Sequence, residues 1–406
     1  MKILYLVHQF YPMYYTGTEK FALNIALIMQ KWGHNVKVIT YSFYENSFYD
    51  EIKGNLFSKE YLYQGIPVLA FKHKNIPPDI HFQLQDESLE RIAREIIQKE
   101  EPDIIHAGHL MRMGEFILAA KMLEVPYILT LTDFWLICPK VILVNSEGDL
   151  CTGPRLGIIC QKKCPELDGK FISTRLRISE HILLNAKTII SPSNFLASIF
   201  KNELPCLPVQ IINHGINLHK LRKNKKSYKK GDKIIFGYAG SLNPHKGVHV
   251  IIEAFRKIKN HNIGLKIYGS GDALYTNKLK EMAKDNRIEF LGVYSENQIA
   301  DVLENIDIII IPSLWYENYP LILHEAFASN IPVLASNVGG MAEKVKDNIN
   351  GYTFRISDSE HLKELIEKII DNPELLNVLK HNIENIIVPS IEQEAFAYEK
   401  LYRDLI

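Results

Sequence analysis

The stretch 308–336 reads IIIIPSLWYENYPLILHEAFASNIPVLAS and leaves little freedom of fold. Two apolar runs of strand length, 308–311 and 331–335, stand on either side of a short helix. Asn318 is placed to cap that helix, and Pro320 falls in its first turn, where a missing N–H costs nothing. The helix is apolar almost all round, so it belongs inside a sandwich of sheet and helices. Two carboxylates accompany it. Glu317 lies in the loop before the helix, and Glu325 lies within it, between Leu323 and Ala326 on either side. A carboxylate on a buried helix is costly unless donors reach it. Sugar and ribose hydroxyls are such donors, and the N–H groups of Leu321 and Ile322 at the helix start suit a diphosphate.

The same alternation runs through the whole chain. Strand-length apolar runs at 3–7, 36–40, 68–71, 104–106, 127–131 and 188–191 are separated by segments of helical period, such as the stripe Leu89, Ile92, Ala93, Ile96, Ile97. It resumes with runs at 234–239, 265–268, 288–291, 308–311, 332–335 and 352–354. Alternation of this kind implies parallel sheets with helices on both faces. With 406 residues the chain has material for two such domains. Lys and Arg together number 47, as do Asp and Glu, so net charge gives no reason to expect a nucleic-acid partner.

Ligands of such sheets bind beyond the carboxyl ends of the strands. In the first half, those positions offer Gly17 before the first helix, His106 and His109 after the run at 104–106, and Asp133 after the run at 127–131. His106, at a strand end among apolar neighbours, reads as structural. His109 is better placed to face a ligand, and Asp133 either orients an acceptor or caps a turn. In the second half, the turn GSLNPHKG at 240–247 sets Lys246 just before a helix, where an ammonium and a helix dipole act together on a phosphate. The glycines Gly269 and Gly271 follow the next strand, and Tyr294 the one after.

Glu317, seven residues and Glu325, followed by a small-residue segment and the IPVLAS strand, resemble the signature of the family 4 retaining glycosyltransferases. The resemblance extends over essentially the whole chain and is most specific from Gly240 to Glu343. It implies a GT-B fold, two Rossmann-like domains facing across a cleft, with a last helix returning to the first domain. It implies transfer of a sugar from a nucleotide diphosphate sugar to a glycan or lipid-linked acceptor, with retained configuration and no catalytic metal or other required cofactor. Cell-surface polysaccharide or glycolipid synthesis is the expected setting. Lys246 would take the diphosphate, with His245 or a residue of the other domain as the second donor, Glu317 the donor-sugar hydroxyls and Glu325 the ribose. Gly17, Ser241, Gly269, Gly271, Tyr294, Asn318, Tyr319, Leu321 and Ile322 would line the donor site. The chain departs from the family where Ser241 replaces an arginine, where Thr132 replaces a histidine, and where Gly17 stands alone instead of in a pair.

The expected domains are 1–217, a basic linker at 218–232, a nucleotide-sugar domain at 233–388 and the returning helix at 389–406. Between about 138 and 170 lies an irregular insertion with Cys138, Cys151, Cys160 and Cys164, a set able to hold one structural zinc although its spacing is not paired. Lys162, Lys163, Lys170, Arg175 and Arg177 follow as a basic cluster that could meet a membrane surface or a lipid pyrophosphate. The first apolar run is broken at His8 and Gln9, too short for a signal peptide, and no run reaches the ~18 residues of a membrane span. A cytoplasmic protein, peripheral at the inner membrane face at most, is expected. A nucleotide-sugar epimerase or hydrolase, or a non-catalytic nucleotide-sugar-binding protein, could share the same frame.

Overall fold

The computed structural model describes residues 1–406, and the chain divides into two compact units. The first comprises residues 1–214 and 391–406, the second residues 215–390.

The first unit is built on β1 (Lys2–Val7), β2 (Asn35–Tyr41), β3 (Glu51–Lys53), β4 (Leu56–Tyr63), β5 (Ile66–His73), β6 (Ile104–Ala107), β7 (Tyr127–Thr130), β8 (Thr188–Ser191) and β9 (Val209–Ile211). Its helices are α1 (Gly17–Lys31), α2 (Glu87–Glu100), α3 (Gly114–Met122), α4 (Ile158–Lys163), α5 (Gly169–Asn185) and α6 (Asn194–Glu203). The sheet runs β3-β4-β5-β2-β1-β6-β7-β8-β9. Pairing is parallel from β5 to β9, and β3 and β4 add an antiparallel arm at one edge. The sequence pattern gives no sign of that arm. LFSKEYLY on β4 is only partly buried, as suits an edge, and so lacks the apolar run that marks the central strands.

The second unit has β10 (Ile234–Ala239), β11 (Ile263–Tyr268), β12 (Ile288–Gly292), β13 (Ile308–Ile311), β14 (Val333–Ser336) and β15 (Gly351–Phe354). Its helices are α7 (Val248–Lys257), α8 (Ala273–Met282), α9 (Ile299–Glu304), α10 (Leu321–Ala328), α11 (Gly339–Lys344), α12 (Ser359–Asp371) and α13 (Leu375–Ile383). The six strands are all parallel, in the order β12-β11-β10-β13-β14-β15. The strand order reverses between β10 and β13, the doubly wound arrangement in which ligands sit at the point of reversal. Ile234, Phe236, Ile308, Ile310 and Leu334 from the sheet pack with Phe255, Ile366 and Leu379 from the helices in one core.

The run at 220–230 is not the free linker its charge suggests. Tyr228 is buried in the second core and donates to Asp307, whose carboxylate also holds Lys226 at 2.7 Å. The Asn224 N–H donates to the Ser329 carbonyl, and buried Lys380 reaches the Asn224 side chain. One tyrosine and one buried aspartate outweigh the solvation of the surrounding lysines.

The last helix, α14 (Ile391–Leu405), packs in the first unit against α1. Its Tyr398 and Tyr402 are wholly buried. They meet His106, whose ring is bonded to the Tyr402 hydroxyl at 2.6 Å and to the Thr130 hydroxyl at 2.7 Å, while Tyr398 bonds Thr130 at 2.9 Å. Burial, then the nearby His214, lower the His106 pKa to about 3, so the ring is neutral and structural. No helix is long and apolar enough to cross a membrane.

A chain ending at Ser390 therefore strips two fully buried tyrosines from the first core, a loss of more than ~5 kcal/mol. We expect its first unit not to fold while the second keeps its own thermal transition. Tyr398→Phe, which removes only a hydroxyl, is expected to cost about 1 kcal/mol in the same melting experiment.

Candidate active site

The point of strand reversal in the second unit is where the chemistry collects. After β10 the chain turns through Gly240 and a short 3-10 turn at Pro244–Lys246, then enters α7 at Gly247. Gly247 has φ +71°, and a Cβ there would stand 2.0 Å from the Pro312 carbonyl oxygen. Only glycine lets this turn lie against the segment leaving β13. The contact is sealed by the Leu314 N–H, which donates to the His245 carbonyl at 2.8 Å. Lys246 is thus brought to Glu317, 71 residues further along, with Nζ 2.7 Å from Oε1.

Glu317 is buried, and its Oε1 takes three donors. Besides Lys246, the Ser313 hydroxyl lies at 2.7 Å and the Trp315 indole N–H at 2.9 Å. Burial pushes this carboxyl upward, but the Lys246 charge and these hydrogen bonds outweigh it and hold its pKa below the usual range. The Lys246 ammonium also lies 5.0 Å from the centre of the Trp315 ring, against which the His245 ring packs edge-on. Burial and then Lys246 lower the His245 pKa. Ser313 and Trp315 escaped the sequence reading. A tryptophan two residues before a carboxylate was the available signal, since an indole N–H usually finds a partner when buried.

The backbone of Glu317 is clamped from the other side. The Gly340 N–H donates to the Glu317 carbonyl at 2.6 Å, and a Cβ on Gly340 would come within 2.4 Å of the Asn318 carbonyl. The glycine pair at the start of α11 is therefore a seat for the Glu317 loop. Helix α10 begins at Leu321, with Pro320 itself in the capping position, so Asn318 is not the cap. Pro320 presets the backbone angle at the entry, and Asn318 stays in the loop. The Leu321 and Ile322 amides fall in the first turn, where the helix provides no partner for them.

Glu325 is buried one turn further along α10. Tyr294, from the loop after β12, approaches it: burial and then the Glu325 charge raise the phenol above its usual pKa. Tyr319 stacks flat on His324 at 3.8 Å. Gly269 and Gly271 pack against the turn after β10, where a Cβ would stand 1.8 Å from the Gly240 oxygen and 2.0 Å from the Leu242 oxygen. Ser241 is exposed in that same turn and accepts at its carbonyl from the Tyr238 hydroxyl. Lys246, His245, Glu317, Tyr294, Glu325 and the start of α10 are all features of the second unit.

The first unit carries a second polar group of its own. His109 follows β6 and Asp133 follows β7, and they join through Nε2 and Oδ2 at 2.7 Å. The His109 Nδ1 accepts from the Met111 N–H, and Asp133 also accepts from the Trp135 N–H at 2.8 Å. Both nitrogens of His109 are thus engaged, and Asp133 caps its own turn as well. His8, not singled out by the sequence pattern, packs at a tilt against His109 with ring centres 4.0 Å apart. Gly17 opens α1, where Thr16 and Glu19 form a capping box, and a Cβ on Gly17 would meet nothing within 4 Å. The basic cluster loses one member: Arg175 is buried, while Lys162, Lys163, Lys170 and Arg177 are exposed, Lys163 paired with Glu147.

The Lys246–Glu317 pair gives a stability test. The folded pKa of Glu317 lies below its ordinary value. Its contribution is therefore full above the ordinary carboxylate pKa and fades as pH falls through the lowered one. Lys246→Met leaves burial opposed only by the Ser313 and Trp315 hydrogen bonds and is expected to cost the second unit about 2 kcal/mol near neutral pH, since the ammonium is partly solvated. Restoration of most of the loss in Lys246→Met/Glu317→Gln, read by urea unfolding, is the expected sign of coupling.

The model of Glycosyltransferase Family 4 matches residues 15–220, and that of Glycosyl transferases group 1 matches residues 220–386. An uncharacterized glycosyltransferase of Methanocaldococcus jannaschii is 28% identical over 295 residues, 72% of either chain. The lipopolysaccharide 1,2-N-acetylglucosaminetransferase of Salmonella typhimurium is 29% identical over 185 residues, 41% of this chain and 49% of that one. Among solved structures, Anabaena HepE in complex with UDP and glucose matches with a TM-score of 0.71 at 18% identity, over 99% of both chains. Two doubly wound parallel sheets, the matched models and these likenesses agree: the chain belongs to glycosyltransferase family 4 and has the GT-B type of fold.

Proposed function

We propose that this glycosyltransferase moves a sugar from a nucleotide diphosphate sugar to a glycan or lipid-linked acceptor, with retention at the anomeric carbon and without a catalytic metal. The observation that carries the donor assignment is the Lys246–Glu317 pair at the strand reversal, beside the first turn of α10. An ammonium and a set of helix-start amides together offer positive charge where a diphosphate would leave. Preorganised charge of this kind can take the place of a divalent cation at the leaving group.

In this reading the diphosphate lies against Lys246 and the Leu321 and Ile322 amides. Glu317, already fixed by Ser313 and Trp315, accepts from donor-sugar hydroxyls, and Glu325 accepts from the ribose. His245 contributes near the phosphates in place of the arginine absent at Ser241. The loop carrying Tyr294 borders the base. A retaining transfer then proceeds by attack on the same face, with a leaving diphosphate oxygen taking the acceptor proton. Asp133, held with His109, orients the acceptor. The UDP and glucose in the HepE crystal and the lipopolysaccharide substrate named for the Salmonella relative support this class of donor and acceptor.

We assign contact with an anionic inner membrane face to the exposed Leu156 and Ile158 with neighbouring Lys162 and Lys170. Apolar side chains beside lysines are the composition that such a surface takes.

A panel of nucleotide sugars in a thermal-shift assay is expected to raise the melting temperature for one donor, since a ligand that binds the folded state stabilises it. Glu325→Ala should abolish that shift for the matching donor and lower transfer by 100-fold or more, with the unliganded melting temperature little changed. Transfer at near wild-type rate in Glu325→Ala would remove the ribose assignment. Sugar release without any acceptor, at a rate equal to the best transfer rate, would make the protein a hydrolase instead. Linkage analysis of the product by NMR decides retention.

A further inference from the structure

We propose that Cys138, Cys151, Cys160 and Cys164 form a tetrahedral site for one structural Zn2+ in the first unit. The four cysteines come from three separate pieces of backbone. Cys138 stands in the turn after Trp135, Cys151 ends a small hairpin closed by the Val144–Leu150 bridge, and Cys160 and Cys164 lie on α4 and at its end. All four nevertheless line one internal space, together with apolar side chains such as Leu143 and Leu167. The fifth cysteine, Cys206, is exposed elsewhere.

Two further observations point to an ion. Arg175 is 2% exposed, and its hydrogen bonds all go to carbonyl oxygens, those of Phe82, Leu136 and Trp135. It makes no ion pair with a carboxylate, and the groups whose negative charge would reach it are Cys138, Asp133 and Cys160. A buried guanidinium needs a counter-charge. Asp133 supplies one from beyond ion-pair distance, and neutral thiols add nothing to it. Four thiols and Zn2+ release four protons to solvent and leave a tetrathiolate centre of net charge −2 beside it. The second observation is the backbone. Val141, Leu143, Arg155 and Leu156 all have positive φ, a conformation that non-glycine residues hold only when the surroundings enforce it. Besides one six-residue helix and a single bridge, the segment is held by hydrogen bonds such as Cys151 N–H to the Leu143 carbonyl and Arg155 N–H to Glu203, and a metal anchor would add to them at its centre.

As the side chains stand, no three His, Cys, Asp or Glu groups are gathered tightly enough to hold an ion. Binding therefore turns the four thiols inward from backbone positions that already surround the space. An all-sulfur tetrahedral set selects zinc or iron, and the absence of any redox role in sugar transfer favours zinc.

The test uses the full chain, expressed with added zinc and desalted. Elemental analysis is expected to find about one zinc per chain in the wild type and in Cys206→Ser, and less than a tenth of that in Cys160→Ser and Cys164→Ser. Because a serine at these positions can also unfold the loop, a second measurement leaves the sequence intact. Wild-type protein stripped by a chelator and given Co2+ is expected to show the visible and near-ultraviolet bands of a tetrahedral thiolate site, discharged by one equivalent of Zn2+. A zinc-free wild type that shows no such bands overturns the site. Zinc retained in both serine variants does so as well, and stoichiometric iron in place of zinc overturns the choice of metal.

Discussion

The pairing of Lys246 with Glu317 organises the second unit. A carboxylate taken out of water is tolerated only with strong compensation, and here three donors converge on one of its oxygens. The two residues come from the ends of β10 and β13, adjacent strands whose following connections leave in opposite directions. That divergence opens the space in which an ammonium and a carboxylate can meet. Everything near the pair serves its geometry. Gly247 allows the lysine turn to touch Pro312, Gly269 and Gly271 allow the next loop to press on that turn, and Gly340 seats the backbone of the glutamate.

The first unit solves a similar problem with hydrogen bonds between neutral groups. His106, Thr130, Tyr398 and Tyr402 form a buried network that ties β6 and β7 to the last helix. A neutral imidazole in this position satisfies its polar atoms without a counter-ion. Three residues further on, His109 faces a carboxylate and lies beyond the strand end, so the two histidines have different surroundings. The orientation of each follows from its partner, Thr130 and Tyr402 for one and Asp133 for the other.

Where the sequence reading succeeded, the physical signal was local. Fully apolar strands such as 308–311 are legible because burial on both faces leaves no polar alternation, and the glycine turn at 240–247 is legible because its φ and close approaches exclude other residues. Where it failed, the deciding force lay far away in sequence. The β3–β4 arm is half solvated and shows no apolar run. Tyr228, amid lysines, is drawn into the core by Asp307, which lies 79 positions away. Arg175 was grouped with surface lysines, and only the three carbonyls that surround it show it to be interior.

The amino-acid order alone determined the doubly wound α/β class, the existence of two units and the family, and it singled out Lys246, Glu317 and Glu325, because each of these is written in short-range periodicity or in motif spacing. It could not determine that Lys246 donates to Glu317 directly, that Ser313 and Trp315 share the same oxygen, that Pro320 and not Asn318 opens α10, or that four scattered cysteines line one space. The first and last of these depend on distances between separate segments, set only when the sheets close and the helices pack, and the other two on the path the Glu317 loop takes once its neighbours hold it.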